Sequence, residues 1–238
     1  MKRHVPNAIT LLNLFLGCCA AGSVFYGQFV QAFWFVFAAV LADYGDGLIA
    51  RMLGVHSELG KELDSLADMV SFGVVPGVIY YKLLAIGLGH EAAEGLQIAA
   101  LPGFVLSVFS GLRLAKFNLD TRQAEGFLGL PTPSSTMFTV GVMLIYHFNS
   151  FGLGAWVVSP LFLYCCIGGL SYLLLSEIPM FNFKFKSFRW AGNEIKYIFA
   201  AMAVAALLLA REAAFSIVVV LYILFSIFRY LAHKGKTV

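Results

Sequence analysis

An all-α polytopic membrane helical bundle, with about eight transmembrane helices, is the fold this sequence predicts, and three observations predict it. Of 238 residues, 60% are hydrophobic and 12% charged, roughly half the charge of an ordinary soluble domain. The apolar residues fall in blocks of about 16 to 23, long enough to cross a bilayer as helices. The Lys and Arg residues collect in alternate connections, the asymmetry that orients membrane helices.

The spans are expected near 8–26, 29–49, 66–87, 97–117, 133–149, 154–176, 194–210 and 213–232. The first follows MKRHVPN and has the look of a signal-peptide n-region and h-region. No small-residue cleavage site follows, and PNAITLLN carries polar groups useless to a signal, so it is read as a retained span. With the N-terminus in the cytoplasm, 14 of the 16 Lys and Arg face inside: Lys2, Arg3, Arg51, Lys61, Arg113, Lys116, Arg122, Lys184, Lys186, Arg189, Lys196, Arg229, Lys234 and Lys236. Lys82 and Arg211 are the exceptions, and both termini are cytoplasmic on this count. An odd number of spans would spoil the alternation. The basic face suits contact with anionic lipid headgroups, or it serves orientation alone; no nucleic-acid partner is implied.

Before the fifth span, GLPTPSS places Pro131 and Pro133 where the chain breaks, with Ser134 and Ser135 available as helix caps. The segment IPMFNFKFKSFRW interleaves aromatic and basic residues, as an interfacial loop does. Residues 1–238 form one integral-membrane domain, with six spans over about 1–176 and a loop plus two further helices over about 177–238. The cysteines Cys18, Cys19, Cys165 and Cys166 are adjacent pairs inside spans, suited to neither a disulfide framework nor a zinc site. His56 reads as a solvated loop residue, and His147 lies at the far end of its span.

The exception to the greasy composition is DYGDGLIARMLGVHSELGKELDSLAD, residues 43–68. At about 100° per residue, Asp43, Asp46, Gly47, Ala50 and Gly54 share a wedge of roughly 100°, with Arg51 on its border. Two carboxylates thus precede a track nearly free of side chains, where a flat group can approach the backbone. Gly60, Asp64, Asp68 and Ser71 share a face of the next helix. If the two faces meet, four carboxylates converge. Such a cluster is unfavourable alone, because like charges repel and acidic groups within a span are costly. Cations resolve it. Oxygen-only ligands select hard ions, Mg²⁺ or Mn²⁺, and four carboxylates suit a pair of ions that grips a phosphoryl group. The plain alternative is a solvated acidic loop at the membrane edge; Glu58 and Glu62, off the Asp face, fit that description.

The spacing D-x2-D-G-x2-A-R-x8-G-x3-D-x3-D, built from Asp43, Asp46, Gly47, Ala50, Arg51, Gly60, Asp64 and Asp68, resembles the signature of the CDP-alcohol phosphotransferases. That resemblance implies a six-helix membrane core, usually dimeric, with two divalent ions, in which an alcohol hydroxyl displaces CMP from a CDP-linked donor. Carried over, Asp43, Asp46, Asp64 and Asp68 would hold the ions and Asp68 would also be the general base. Gly47 and Ala50 would border the cytidine, Gly60 would belong to the same CDP site, and Arg51 would hold the pyrophosphate region or steady a carboxylate.

Further stretches resemble the phosphatidylserine synthase branch, which takes CDP-diacylglycerol as donor and L-serine as acceptor. They are SFGVVPG after Asp68, GLRLAKFN at 111–118, GLPTPSS at 129–135, and PNAITLLN, with Asn7, Thr10 and Asn13 on one helical side. Arg113, Lys116, Asn118 and Ser71 are the candidates for the serine end. Arg113 would meet the serine carboxylate or a donor phosphate; its alternative, shared by Lys116, is to snorkel to the interface. Relatives using glycerol phosphate or inositol phosphate remain open, and more distantly a divalent-metal transporter.

Overall fold

The structure is a computed structural model that describes residues 4–55, 57–90, 95–120, 127–180 and 193–234. His56, Lys2, Arg3, Arg122, Lys184, Lys186, Arg189, Lys236 and most of the aromatic–basic loop lie outside the described residues.

The chain opens with a helical hairpin, α1 (Val5–Phe25) and α2 (Phe29–Leu53), packed along its length. α3 (Glu58–Asp68) runs through a π-helical turn, Met69–Val74, into α4 (Val75–Gly87), giving one rod of 30 residues. A 3₁₀ segment, Ile98–Phe104, leads into α5 (Val105–Leu119), and β1 (Phe127–Leu128) into α6 (Thr132–Phe148). After α7 (Gly154–Val157) and α8 (Pro160–Leu175), β2 (Pro179–Met180) pairs antiparallel with β1. α9 (Glu194–Leu209) and α10 (Ala214–Lys234) complete the bundle.

α4 is the central helix. Tyr80, Ile79, Leu83 and Leu84 are fully buried, and around them pack Leu106 of α5, Met143 of α6, and Leu163 and Leu174 of α8. In lipid, apolar burial alone does not drive helices together; close packing of small residues does. Here an added Cβ at Gly77 would strike Ser107, one at Gly103 the Tyr81 backbone, and one at Gly141 Ser216.

The expected spans and caps are refined in detail. Among the described residues, five helices are long and apolar enough to cross a membrane: His4–Phe25, Phe29–Leu53, Glu58–Gly87, Ile98–Leu119 and Arg211–Leu231. Pro160–Leu175 is a shorter apolar helix, while α6 and α9 occupy expected segments with only 17 and 16 residues. The third rod starts at Glu58, ahead of the apolar span expected from about 66 and just before the Gly60 face, because Ser57 caps it by accepting a hydrogen bond from the Gly60 N–H at 2.9 Å. Hydropathy alone hides that amphipathic first stretch. Neither Ser134 nor Ser135 caps α6; the helix begins at Thr132, and the Ser135 N–H already donates to the Pro131 carbonyl. The paired residues of β1 and β2 add a minimal strand pair to an otherwise helical fold.

Candidate active site

The site is made by a tight corner. α2 ends at Gly54, whose φ of +62° is the left-handed conformation that closes a helix without steric cost. The Gly54 and Val55 N–H groups take up the last α2 carbonyls, on Arg51 and Ala50. Three residues later Ser57 starts α3. α2 and α3 are thereby both laid against α1, and their aspartates meet beside it.

Asp43, Asp64 and Asp68 come together, each offering a carboxylate oxygen, with all three oxygens within 4.8 Å of one another. All three residues are half-buried. Asp43 and Asp68 stand close enough to share a side-chain hydrogen bond. Asp68 Oδ1 is buried and has no hydrogen-bond partner, an arrangement that a buried carboxylate rarely tolerates without a cation or donor. These oxygens fit a hard divalent ion and could hold one.

Asp46 stands apart from that trio. It is 6% exposed, lies within electrostatic reach of the other three carboxylates, and its Oδ2 accepts a hydrogen bond from the Thr10 hydroxyl at 2.5 Å. The glycine track behaves as its composition suggests. A Cβ at Gly47 would find only Arg51 Nη1, 3.7 Å away. Ala50 is half-buried and Arg51 exposed. Gly60 lies elsewhere on this surface, pressed between Asn7 Oδ1 and Ser57 Oγ, each 3.0 Å from a notional Cβ.

The residues considered for the acceptor divide. Ser71 is buried, and its hydroxyl donates to the Asn13 carbonyl at 3.1 Å. Asn118 Nδ2 donates to Ser65 Oγ at 2.8 Å, tying α5 to α3 beside Asp64. Arg113 does not snorkel: it is 5% exposed, its Nε donates to the Leu130 carbonyl at 2.5 Å, and its guanidinium lies 5.8 Å from the centre of the Phe117 ring. Lys116 is exposed. Arg113 and Lys116 line one small pocket with Asp120, Ser176 and Glu177. Glu58 and Glu62 are exposed, as their helical phase predicts.

The contribution of α1 exceeds what its sequence declares. Asn7, Thr10 and Asn13 form a polar side in an apolar helix, and that side faces the acidic corner. Thr10 and Asn13 are 3% and 0% exposed. Their signal was the clustering of polar residues on one helical side; what the sequence lacks is the identity of the facing helix.

Curated relatives match this chain over much of its length. The family description for CDP-alcohol phosphatidyltransferases matches residues 3–168. A Helicobacter pylori (strain ATCC 700392 / 26695) protein named CDP-diacylglycerol–serine O-phosphatidyltransferase is 33% identical over 235 residues, 95% of this chain and 90% of its own length. The Bacillus subtilis (strain 168) protein of that name is 33% identical over 181 residues, 76% of this chain and 92% of its own. One from Methanocaldococcus jannaschii is 30% identical over 137 residues, 58% of this chain and 59% of its own length. With its acidic corner intact and a family match over most of its length, the chain belongs to the CDP-alcohol phosphatidyltransferases.

Proposed function

We propose that this protein transfers the phosphatidyl group of CDP-diacylglycerol to the hydroxyl of L-serine, giving phosphatidylserine and CMP. The observation that carries the reading is the convergence of Asp43, Asp64 and Asp68, with a buried oxygen of Asp68 left unpartnered. Serine as acceptor is supported by the names of relatives at about 33% identity over most of the chain.

Asp43, Asp46, Asp64 and Asp68 would hold two divalent ions, Mg²⁺ or Mn²⁺, with Asp46 oriented by Thr10. When bound, such ions neutralise charge on the donor's pyrophosphate and on departing CMP. Gly47 and Ala50 offer a surface on which the cytidine can lie, and exposed Arg51 reaches the pyrophosphate. Gly60 keeps the first turn of α3 against α1 beneath that nucleotide. The serine oxygen attacks the phosphorus that carries diacylglycerol, the bond to the CMP oxygen breaks, and Asp68 takes the hydroxyl proton. Among the described residues, no cysteine or histidine stands beside the carboxylates as a nucleophile, which favours direct transfer. Exposed Lys116, at the mouth of the pocket it shares with Arg113, is the cation offered to the serine carboxylate. Asn118 and Ser71 shape that end through Ser65 and Asn13. The active site faces the cytoplasm, where serine and nucleotides are found, and the enzyme works as a homodimer within a catalytic core over about 1–176.

Purified protein is given CDP-diacylglycerol, Mn²⁺ or Mg²⁺, and labelled serine, glycerol phosphate or inositol phosphate in separate reactions. Labelled phosphatidylserine and stoichiometric CMP are expected from serine alone. A labelled lipid from either phosphorylated acceptor, with none from serine, overturns the assignment.

A further inference from the structure

Immediately after Asp68 the rod loses α-helical regularity, and the sequence supplies the cause. Pro76 has no N–H, and a proline ring crowds the carbonyl four residues earlier, here that of Phe72. The helix widens into the π turn Met69–Val74, and the Phe72 carbonyl loses the helical donor it would have had at residue 76. Two other helices address this turn. Thr136 Oγ1 of α6 stands between two carbonyls, that of Phe72 at 3.1 Å and that of Thr132 in its own helix at 3.0 Å, and Ser107 Oγ of α5 donates to the Gly73 carbonyl at 2.8 Å. On the third side, Ser71 donates to the Asn13 carbonyl of α1 at 3.1 Å. Three consecutive residues are thus tied to three different helices, within one turn and a half of Asp68. All four hydroxyl-bearing and carbonyl-bearing contacts are buried: Ser71, Ser107, Thr136 and Phe72 are at most 8% exposed.

π turns concentrate at functional sites because an added residue rotates what lies on either side by about 100°. Here the rotation separates two demands. Before the turn, Asp64 and Asp68 must face Asp43; after it, Ile79, Tyr80, Leu83 and Leu84 must face the buried centre of the bundle. We propose that Thr136 and Ser107 are positioning residues for the carboxylate site: by holding the Phe72 and Gly73 carbonyls they fix the phase of the π turn and so the aim of Asp68. This rests on the reading that the aspartates bind divalent ions. It also gives work to Pro76 of SFGVVPG, which takes the residue-76 donor from the Phe72 carbonyl, and to Thr136, directly after GLPTPSS, which approaches that carbonyl.

The test is Mn²⁺ binding to the full-length protein in lipid vesicles without donor or acceptor, read from loss of the free-Mn²⁺ paramagnetic resonance signal. Thr136→Val and Ser107→Ala should each weaken binding about tenfold, the usual consequence of a buried carbonyl losing its donor. Thr136→Ser should stay within about threefold of the unchanged protein, because it keeps the hydroxyl. Thr139→Val is the control: one turn further along α6, that hydroxyl donates at 2.9 Å to Ser135 of its own helix, and binding should not change. Wild-type affinity in both Thr136→Val and Ser107→Ala overturns the proposal, as does an equal loss in Thr139→Val, which would mark general loosening of α6. Asp64→Asn separates the two levels. If it abolishes binding while Thr136→Val and Ser107→Ala bind normally, the clamp alone fails. If Asp64→Asn binds Mn²⁺ as the unchanged protein does, the metal reading fails and takes the clamp with it.

Discussion

Thr10 offers the sharpest test of how α1 supports the carboxylates. Its hydroxyl lies 2.5 Å from Asp46 Oδ2 and 3.1 Å from the Pro6 carbonyl of its own helix. One hydroxyl has one hydrogen, and the shorter, charge-assisted partner holds it more strongly. Thr10→Val keeps the shape and removes the donor. Both partners are nearly inaccessible, at 3% and 6% exposure, so water cannot replace the lost bond. A hydrogen bond to a charged group contributes about 1.5–3 kcal/mol, and loss of a group that orients a metal-binding carboxylate costs about 10- to 100-fold in metal affinity or activity. CMP release measured against Mn²⁺ concentration should therefore shift its midpoint upward by about 10- to 100-fold. Thr10→Ser should bring it most of the way back. A Thr10→Val curve that superimposes on the wild-type curve would show that Asp46 needs no support from α1, and would remove that carboxylate from the ion-binding set.

Two further outcomes follow from the same geometry. Asp68→Asn keeps the volume but cannot accept the serine proton; turnover should fall about 10²- to 10⁴-fold, the range for a general base, while CDP-diacylglycerol binding measured by competition with CMP changes far less. An effect on donor binding alone would rule out Asp68 as the base. Gly47→Ala adds a methyl that meets no protein atom nearer than Arg51 Nη1 at 3.7 Å, so thermal stability should stay within about 0.5 kcal/mol, as at other unconstrained sites. Its CMP affinity should nevertheless drop, because the added group stands where the nucleotide is proposed to lie; unaltered affinity would move the cytidine elsewhere.

Much of the corner was legible because carboxylates at helical spacing inside apolar segments admit few explanations. Asp43, Asp64 and Asp68 needed only the 100° rule and a turn at Gly54 to be brought together. The polar side of α1 was visible as a side, but a helix carries no label for the neighbour it faces, so Thr10 could not be joined to Asp46 from spacing. The π turn was hidden for a different reason. α4 is apolar except at Lys82, and a segment with so little polar face gives hydropathy almost no phase to read; Pro76 alone hinted at a disturbance. Arg113 shows the limit for long side chains. Its position near a helix end suited both snorkelling and substrate contact, whereas the folded chain turns it inward onto the Leu130 carbonyl. Hydropathy starts the third span near 66 because it averages over windows that a short amphipathic stretch cannot move; the helical face from Gly60 and the cap at Ser57 mark the true start of α3.

The two sides of α2 differ completely. Opposite the acids, Trp34, Phe37, Leu41, Tyr44, Leu48 and Met52 stand 41–76% exposed, an oily strip running to the level of the aspartates and beyond. On the function proposed above, a two-tailed donor would reach this corner by sliding sideways in the plane of the bilayer without ever dissolving. Saturation would then follow the mole fraction of donor among its neighbouring lipids, and diluting the vesicles in buffer would leave the rate per enzyme unchanged, whereas diluting the donor with inert lipid would slow it.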